Sequence, residues 1–127
     1  MLALTPWVKR LLIANVAMYL VTRTSRDLYV LLALVPAAVV PRPWTLVTYM
    51  FLHANFAHLF FNMIGLLFFG PRLESRLGAR GFTLLYVLAG VGGAVFSLLF
   101  ARNAAVVGAS GAVYGVLLGF AMFWPRE

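Results

Sequence analysis

Long apolar stretches separated by basic residues dominate the pattern of this chain. Uncharged stretches cover residues 11–22, 43–71, 81–101 and 103–125, and each follows one or two basic residues. A helix needs about 20 apolar residues to cross the hydrocarbon of a membrane, so the last three stretches are long enough. The first is short and would also use Trp7 and Val8, with the Lys9 and Arg10 side chains reaching the headgroups. The pattern therefore predicts four membrane-spanning helices.

The boundaries of these spans follow from the breaks between the stretches. Span 1 covers about residues 7–23, span 2 about 55–69, span 3 about 81–100, and span 4 runs from near Ser110 to Trp124. Gly70 and Pro71 are expected to end span 2, because proline lacks the N–H group and clashes with the preceding turn. Residues 72–80 would then form a short basic loop on the inner side.

The segment between spans 1 and 2, residues 24–52, is amphipathic and contains three prolines. Each proline removes a backbone donor and disfavours helix at the residue before it. We therefore expect an interfacial loop with non-helical backbone in the outer leaflet, shielded by the rest of the protein. Trp44 and Tyr49 of this loop should lie at headgroup depth.

Small residues recur at every fourth position in spans 3 and 4. They are Ala89, Gly93 and Ser97 in span 3, and Gly111, Gly115 and Gly119 in span 4. Helices in lipid associate through close packing, which small residues permit. Span 4 should therefore be central and contact protein closely along its line of glycines.

The composition agrees with a membrane protein. With 64% hydrophobic residues, a chain of 127 residues has too little polar surface to cover a soluble globule. The net charge of +7 does not indicate nucleic-acid binding, because the basic residues lie between apolar stretches and form no patch. If the N-terminus is cytoplasmic, six basic residues fall inside and four outside, in the direction of the positive-inside rule. We expect a multi-pass protein of the cell inner membrane with a cytoplasmic N-terminus.

Thiol, metal and cofactor chemistry have little support in the sequence. The chain contains no cysteine, which excludes a thiolate nucleophile and a disulfide scaffold. Its three acidic residues lie away from its two histidines, so the ligands for a metal site do not come together. We expect neither a bound metal nor a cofactor.

A serine between small residues stands where span 4 begins, in Gly108-Ala109-Ser110-Gly111. Because its neighbours have almost no side chain, the hydroxyl of this serine can be approached by another backbone. Tyr114 lies one turn below Ser110 on the same helical face. On these residues alone, the alternative is that Ser110 and its glycines only form a helix-packing face and that Tyr114 packs in the core.

Three polar side chains mark the start of span 2. His58 and Asn62 are four residues apart and project from one helical face, whereas His53 belongs to the turn before the helix. Spans 2 and 4 both begin at the outer leaflet in the predicted topology, which puts His58 and Asn62 at the depth of Ser110. Together with the backbone N–H of Ser110, these side chains could form an oxyanion hole that stabilises a tetrahedral acyl intermediate. The alternatives are an interhelical hydrogen bond that only fixes packing, and a structural cap for His53.

Three motifs occur in this order along the chain: His53-x4-His58-x3-Asn62-Met63, then Gly70-Pro71-x2-Glu74-x3-Gly78, then Gly108-Ala109-Ser110-Gly111-x2-Tyr114-Gly115. In this combination the chain resembles the rhomboid intramembrane serine proteases, from about Pro43 to Gly119. The resemblance implies that Ser110 is the nucleophile and that His58 and Asn62 stabilise the oxyanion.

The resemblance also assigns supporting roles. It implies that Tyr114 packs on the catalytic histidine, that Glu74 is a structural acid of the inner loop and that Trp44 belongs to the interfacial loop. The arginine that often follows this tryptophan in the family is Thr45 here, so the loop should be anchored differently. We group Gly108, Gly111 and His53 with the supporting residues.

The general base is where the chain departs from the family pattern. The resemblance implies a six-span core whose base is a histidine on the sixth span, and neither His53 nor His58 matches it. Residues 1–127 are thus expected to form a rhomboid-like domain truncated after the fourth span, an all-α bundle with an interfacial loop between spans 1 and 2.

The function expected from the resemblance is intramembrane serine endopeptidase activity, with transmembrane proteins as substrates and the lipid bilayer as surroundings. A serine without a base is a poor nucleophile, so the activity of these residues alone is open. Two alternatives stay beside it. One is a rhomboid-like pseudoprotease that binds transmembrane helices without cleavage, and the other is a small structural protein of glycine-packed helices.

Overall fold

The computed structural model describes residues 4–126, and in this part of the chain the regular structure is helical. The α-helices are α1 (Pro6–Thr24), α2 (Arg26–Leu32), α3 (Thr45–Thr48), α4 (Phe56–Phe100) and α5 (Ser110–Phe123). Two 3₁₀ turns, Pro36–Ala38 and Tyr49–Phe51, lie between them. The first three and the last residue of the predicted 1–127 domain lie outside the described residues.

Helix α4 is broken at Gly78, whose backbone angles (φ 78°, ψ 167°) are non-helical. A positive φ strains any residue that carries a Cβ, so glycine permits the break here. The predicted end of span 2 at Gly70 and Pro71 is therefore wrong, as is the predicted loop over residues 72–80, most of which is helical. Gly70 is instead a packing site, because its bare backbone lies against the Val8 side chain.

Helix α5 packs against both halves of α4, residues 56–77 and 79–100. Against the first half, Val113 meets Gly65, and further along Gly119 meets Leu73. Along the second half the order is reversed, since Gly119 meets Leu85, Gly115 meets Ala89 and Gly111 meets Gly93. The first half therefore runs parallel to α5 and the second half antiparallel, so α4 is folded back at Gly78. The predicted close contact along the glycine line of α5 is confirmed.

One helix in residues 4–126 is long and apolar enough to cross a membrane by length and composition, and it is α4. Helix α5, with 14 residues, is a shorter apolar helix. A straight helix of 45 residues would be about 68 Å long, roughly twice the thickness of the hydrocarbon. Its folding at Gly78 is compatible with two spans, while the complete four-span arrangement stays a prediction.

The segment between α1 and α4 contains more helix than its prolines suggested. Ser25 caps α2 by accepting a hydrogen bond from the Leu28 N–H at 3.2 Å. The Trp44 ring N–H donates to the Leu31 carbonyl at 3.1 Å, and the Thr48 hydroxyl donates to the Leu32 carbonyl at 2.8 Å. These bonds tie α3 to the end of α2, so the predicted non-helical backbone applies to only part of the segment.

The residue that replaces the family's arginine has a structural role in this segment. Thr45 is buried, and its hydroxyl donates to the Arg42 carbonyl at 2.7 Å. The segment is thus anchored by Trp44, Thr45 and Thr48 together.

Glu74 connects α4 to the start of α1. Its carboxylate accepts hydrogen bonds from the N–H groups of Trp7 (3.1 Å) and Val8 (3.0 Å), and its side chain is buried. These donors belong to the first turn of α1, where backbone N–H groups have no partner within the helix. A carboxylate also interacts favourably with the positive end of the helix dipole. Glu74 therefore caps α1 from another helix.

We expect Glu74→Ala to lower the free energy of unfolding by about 1–3 kcal/mol, because it leaves buried N–H groups of α1 without an acceptor. Glu74→Gln retains one carbonyl oxygen and should cost less. The measurement is unfolding in detergent micelles followed by circular dichroism. Asp27→Asn, at an exposed acid of α2, is the control. The assignment is wrong if Glu74→Ala is no more destabilising than this control.

We expect Gly115→Ala to destabilise the chain by about 1–3 kcal/mol through overpacking. A Cβ added at Gly115 would lie 2.4 Å from the Cβ of Ala89, so α5 would have to move away from α4. The matched control is Gly92→Ala, because a Cβ at Gly92 meets nothing within 4 Å. Equal melting temperatures for the two variants in the same detergent would contradict close packing along the glycine line.

Candidate active site

The candidate site lies where α4 and α5 begin. The Asn55 side chain caps α4 by accepting a hydrogen bond from the His58 N–H at 2.9 Å, which places His58 in the first turn. Ser110 is the first residue of α5. Because the first half of α4 runs parallel to α5, the N-terminal ends of the two helices lie side by side.

The structure brings together Ser110, His58 and Asn62. The His58 Nε2 lies 3.3 Å from the Ser110 Oγ, and the Ser110 hydroxyl donates to the Asn62 Oδ1 at 3.2 Å. The serine oxygen therefore has one side chain from each of two successive turns of α4 within hydrogen-bond reach. In the described residues no group of three His, Asp or Glu side chains could hold a metal ion.

Asn62 also carries a donor that nothing in the described chain uses. Its side chain is 7% exposed, and its Nδ2 is buried without a hydrogen-bond partner in residues 4–126. A buried amide N–H without an acceptor costs free energy. Beside a serine oxygen, such a donor can bind negative charge that appears during a reaction.

Gly108 allows His58 to approach the serine. A Cβ at Gly108 would lie 2.5 Å from the Cε1 of His58, and the φ of 116° is one that side chains disfavour. Its N–H donates to the Tyr49 carbonyl at 2.9 Å, which holds the turn before α5. Gly111, the other predicted supporting glycine, lies against Gly93 instead and brings α5 close to α4.

His53 holds the other edge of the turn before α5. Its Nε2 accepts a hydrogen bond from the Ala109 N–H at 3.4 Å, and its ring stands edge-on to that of His58 with 5.1 Å between centroids. Burial, with a contribution from His58, lowers the pKa of His53 to about 4. The imidazole is therefore neutral at pH 7, which is the form that can accept this bond. His53 therefore positions the backbone next to Ser110. In the described part of the chain, no hydrogen bond of the site joins its ring to the serine hydroxyl.

Tyr114 lines the open side of the site. Its side chain is 70% exposed and borders a cavity of about 350 Å³ that also reaches His58, Asn62 and Ser110. Most of the other residues that line this cavity are apolar, with Phe61 and Leu117 among them. Trp44 and Glu74 are not part of the site, since the one joins α2 to α3 and the other caps α1.

Tyr49 is a supporting residue that the sequence did not reveal. It was predicted at headgroup depth, but its side chain is 3% exposed and its hydroxyl donates to the Gly90 carbonyl of α4. Its own carbonyl accepts the Gly108 N–H. Gly93 and Gly111 lie against the Tyr49 hydroxyl and leave room for it, and only the packing of the helices makes that space visible.

Comparison with known proteins identifies the family. The sequence model of the Rhomboid domain matches residues 41–127, which is more than half of the chain. RHOMBOID-like protein 2 of Arabidopsis thaliana is 45% identical over 73 residues, covering 58% of this chain and 23% of that protein. Rhomboid-like protease 3 of Toxoplasma gondii is 40% identical over 78 residues, covering 61% of this chain and 30% of that protein.

A third relative differs in its name. Inactive RHOMBOID-like protein 8 of Arabidopsis thaliana is 32% identical over 74 residues, covering 58% of this chain and 21% of that protein. In each case the match spans less than a third of the length of the relative. The domain match and these identities confirm the resemblance in the motifs, and the chain belongs to the rhomboid family, membrane-integral proteins known for intramembrane serine proteolysis.

Proposed function

We propose that this chain carries the nucleophile and the oxyanion-stabilising residues of an intramembrane serine endopeptidase that cleaves transmembrane proteins near the outer leaflet. The observation that carries the proposal is the position of the Ser110 Oγ, 3.3 Å from the His58 Nε2 and 3.2 Å from the Asn62 Oδ1. A serine that serves packing alone has no need of two polar side chains and a buried spare donor beside it.

In the proposed reaction the Ser110 Oγ attacks the carbonyl carbon of a peptide bond and loses its proton to a general base. Negative charge then develops on the former carbonyl oxygen. The Ser110 N–H, at the positive end of α5, together with N–H groups of His58 and Asn62, would stabilise this charge. Collapse of the intermediate breaks the C–N bond, the amine takes up the proton, and water releases the acyl group from Ser110.

We propose that the general base comes from a residue outside these four predicted spans. His53 uses its accepting nitrogen for the Ala109 N–H, and His58 is assigned to the oxyanion. Residues 1–127 would then form the first four spans of a six-span core, with the base on a later span facing Tyr114 across the open cavity.

The proposed topology puts the N-terminus in the cytoplasm of a cell inner membrane and Ser110 at the outer side. Helix contacts support it, because Glu74 lies at the start of α1 and the Arg72 guanidinium stacks 4.1 Å from the Trp124 ring. The start of α1, the bend of α4 and the end of α5 therefore share one end of the bundle, opposite Ser110. Six basic residues lie at that end: Lys9, Arg10, Arg72, Arg76, Arg80 and Arg126. This accumulation is the one that the positive-inside rule expects in the cytoplasm.

A second candidate function is supported by the relative named inactive. A pseudoprotease of this family would bind transmembrane helices at the same cavity and leave them intact. The two functions differ in whether Ser110 becomes covalently modified.

We expect a fluorophosphonate probe to label the protein in its native membrane and the label to be lost in Ser110→Ala. The probe reacts with a serine whose oxyanion is stabilised, which is the arrangement proposed for Ser110. Ser97→Ala is the matched control, because the Ser97 hydroxyl donates to the Gly93 carbonyl within its own helix. Equal labelling of the wild type and Ser110→Ala would contradict the proposal. Retention of an uncleaved membrane client by both would favour the pseudoprotease.

We expect Asn62→Ala to reduce kcat about 10²–10³-fold with little change in KM, since loss of one oxyanion donor acts mainly on the transition state. Asn62→Asp has nearly the same shape but no N–H group, and should lose as much activity. Cleavage of a transmembrane reporter in proteoliposomes gives both constants. If Asn62 only fixes packing, the variants will be less stable but normally active per folded molecule.

A further inference from the structure

A basic cleft lies on the other side of His53 from the proposed nucleophile. It has a volume of about 320 Å³ and is lined by Thr22, Arg23, Arg26, Tyr29, His53 and Ala54. Its walls therefore come from the end of α1, from α2 and from the turn before α4. Among residues 4–126 no acidic residue lines the cleft, while two arginines do. The Arg23 guanidinium also donates to the Tyr19 hydroxyl at 2.8 Å, which uses one of its five N–H groups.

The cleft also contains a buried donor without a partner. His53 is 2% exposed, its Nε2 is occupied by the Ala109 N–H, and its Nδ1 has no hydrogen-bond partner in residues 4–126. With Nε2 as the acceptor, Nδ1 carries the proton of the neutral ring. One buried N–H group and two guanidinium groups are the donors that bind the oxygens of a phosphate.

A separate apolar groove lies along α1, on the residues that precede the basic cleft in the helix. It has a volume of about 380 Å³ and is lined by Leu12, Ile13, Val16, Ala17 and Leu20. Three of these side chains are largely exposed: Ile13 (58%), Val16 (41%) and Leu20 (60%). Leu20 lies one turn before Arg23, so the apolar groove leads to the basic cleft.

The dimensions of this surface fit one leaflet of a membrane. The ten residue steps from Ile13 to Arg23 rise about 15 Å along a helix, and one leaflet contributes about half of the roughly 30 Å hydrocarbon. An acyl chain along the groove would therefore place a headgroup phosphate at the level of Arg23. A free phosphate ion would use the cleft but not the groove.

We propose that this surface is a binding site for one anionic phospholipid, with its phosphate between Arg23 and Arg26 and one acyl chain along the α1 groove. The phosphate oxygens accept hydrogen bonds from the guanidinium groups and from the Nδ1 of His53. The net charge of the lipid selects it over a zwitterionic one, because the two arginines attract the phosphate and repel a choline cation. The bound lipid would hold α1, α2 and the His53 turn together beside the active site.

The test is lipid binding by native mass spectrometry on the protein extracted from its native membrane into neutral detergent, titrated with dioleoylphosphatidylglycerol or dioleoylphosphatidylcholine. We expect a preference of about tenfold or more for phosphatidylglycerol, the size expected from two arginines near a headgroup. Equal binding of the two lipids overturns the proposal.

Matched variants locate the preference. Arg23→Gln with Arg26→Gln should abolish it, whereas Arg80→Gln with Arg102→Gln, which removes the same charge from exposed positions outside the cleft, should leave it intact. Arg23→Lys with Arg26→Lys keeps the charge and should retain part of the preference, which separates lost binding from lost folding. An equal loss in both glutamine pairs would show a diffuse effect of net charge and overturn the assigned site.

Two further arms distinguish the source of the phosphate. Leu20→Ser should weaken phosphatidylglycerol binding several-fold by making the groove polar. Inorganic phosphate, added at the same concentration as the lipid, should not displace it. Displacement by inorganic phosphate would show that the cleft takes a free anion and would overturn the lipid assignment. Normal lipid binding by Leu20→Ser would show that the groove holds no acyl chain and would overturn it as well.

Discussion

The close approach of α5 to both halves of α4 is the constraint on which the rest of the structure depends. Helix α5 presents bare backbone at three successive turns, at Gly111, Gly115 and Gly119. The residues of α4 that pack against these turns are Gly93, Ala89, Leu73 and Leu85. In a bilayer there is little hydrophobic gain from associating helices, so contact between atoms at short range has to supply the attraction. The parallel arrangement of α5 and the first half of α4 follows from this contact, and it brings two helix starts to the same end of the bundle.

Contacts from several elements fix the polar groups at that end of the bundle. Such contacts are needed because polar side chains are costly to bury. Asn55 fixes the turn that carries His58, Gly108 leaves room for the His58 ring, and His53 and Tyr49 hold the backbone before Ser110. The Nδ1 of His53 and the Nδ2 of Asn62 are among the buried polar atoms without a partner in the described part of the chain. Buried polar groups in stable proteins are usually paired. These two belong to the side chains that bond to the Ser110 hydroxyl and to the turn before it, and this location is what points to ligands.

The sequence predicted those features that depend on helical periodicity and on membrane depth. Spacing by four residues put His58 and Asn62 on one face, the topology put them level with Ser110, and the same spacing revealed the glycine line. Features that depend on the competition between local preference and packing were not predictable in this way. Proline normally ends a helix, but Pro71 is buried within α4 beside a glycine against which Val8 packs. The helix reverses at Gly78, which adopts a positive φ. The sequence alone does not distinguish Gly78 from Gly70 as the position of the bend.

Tyr49 and Glu74 show why contacts between residues far apart in the chain cannot be predicted from local sequence patterns. An amphipathic aromatic near a membrane surface is more often at the headgroups than inside the protein. The Tyr49 side chain is buried here because glycines on two helices, Gly93 and Gly111, leave space beside its hydroxyl. Glu74 is 66 residues from the Val8 N–H that it binds, so nothing in the sequence around either residue indicates the other. The two residues act at opposite ends of the bundle. Tyr49 binds Gly90 of the second half of α4 and the Gly108 turn before Ser110, whereas Glu74 of the first half binds the start of α1. The close packing of α5 on α4 lies between these ends, so the two contacts fix the bundle on either side of the glycine line.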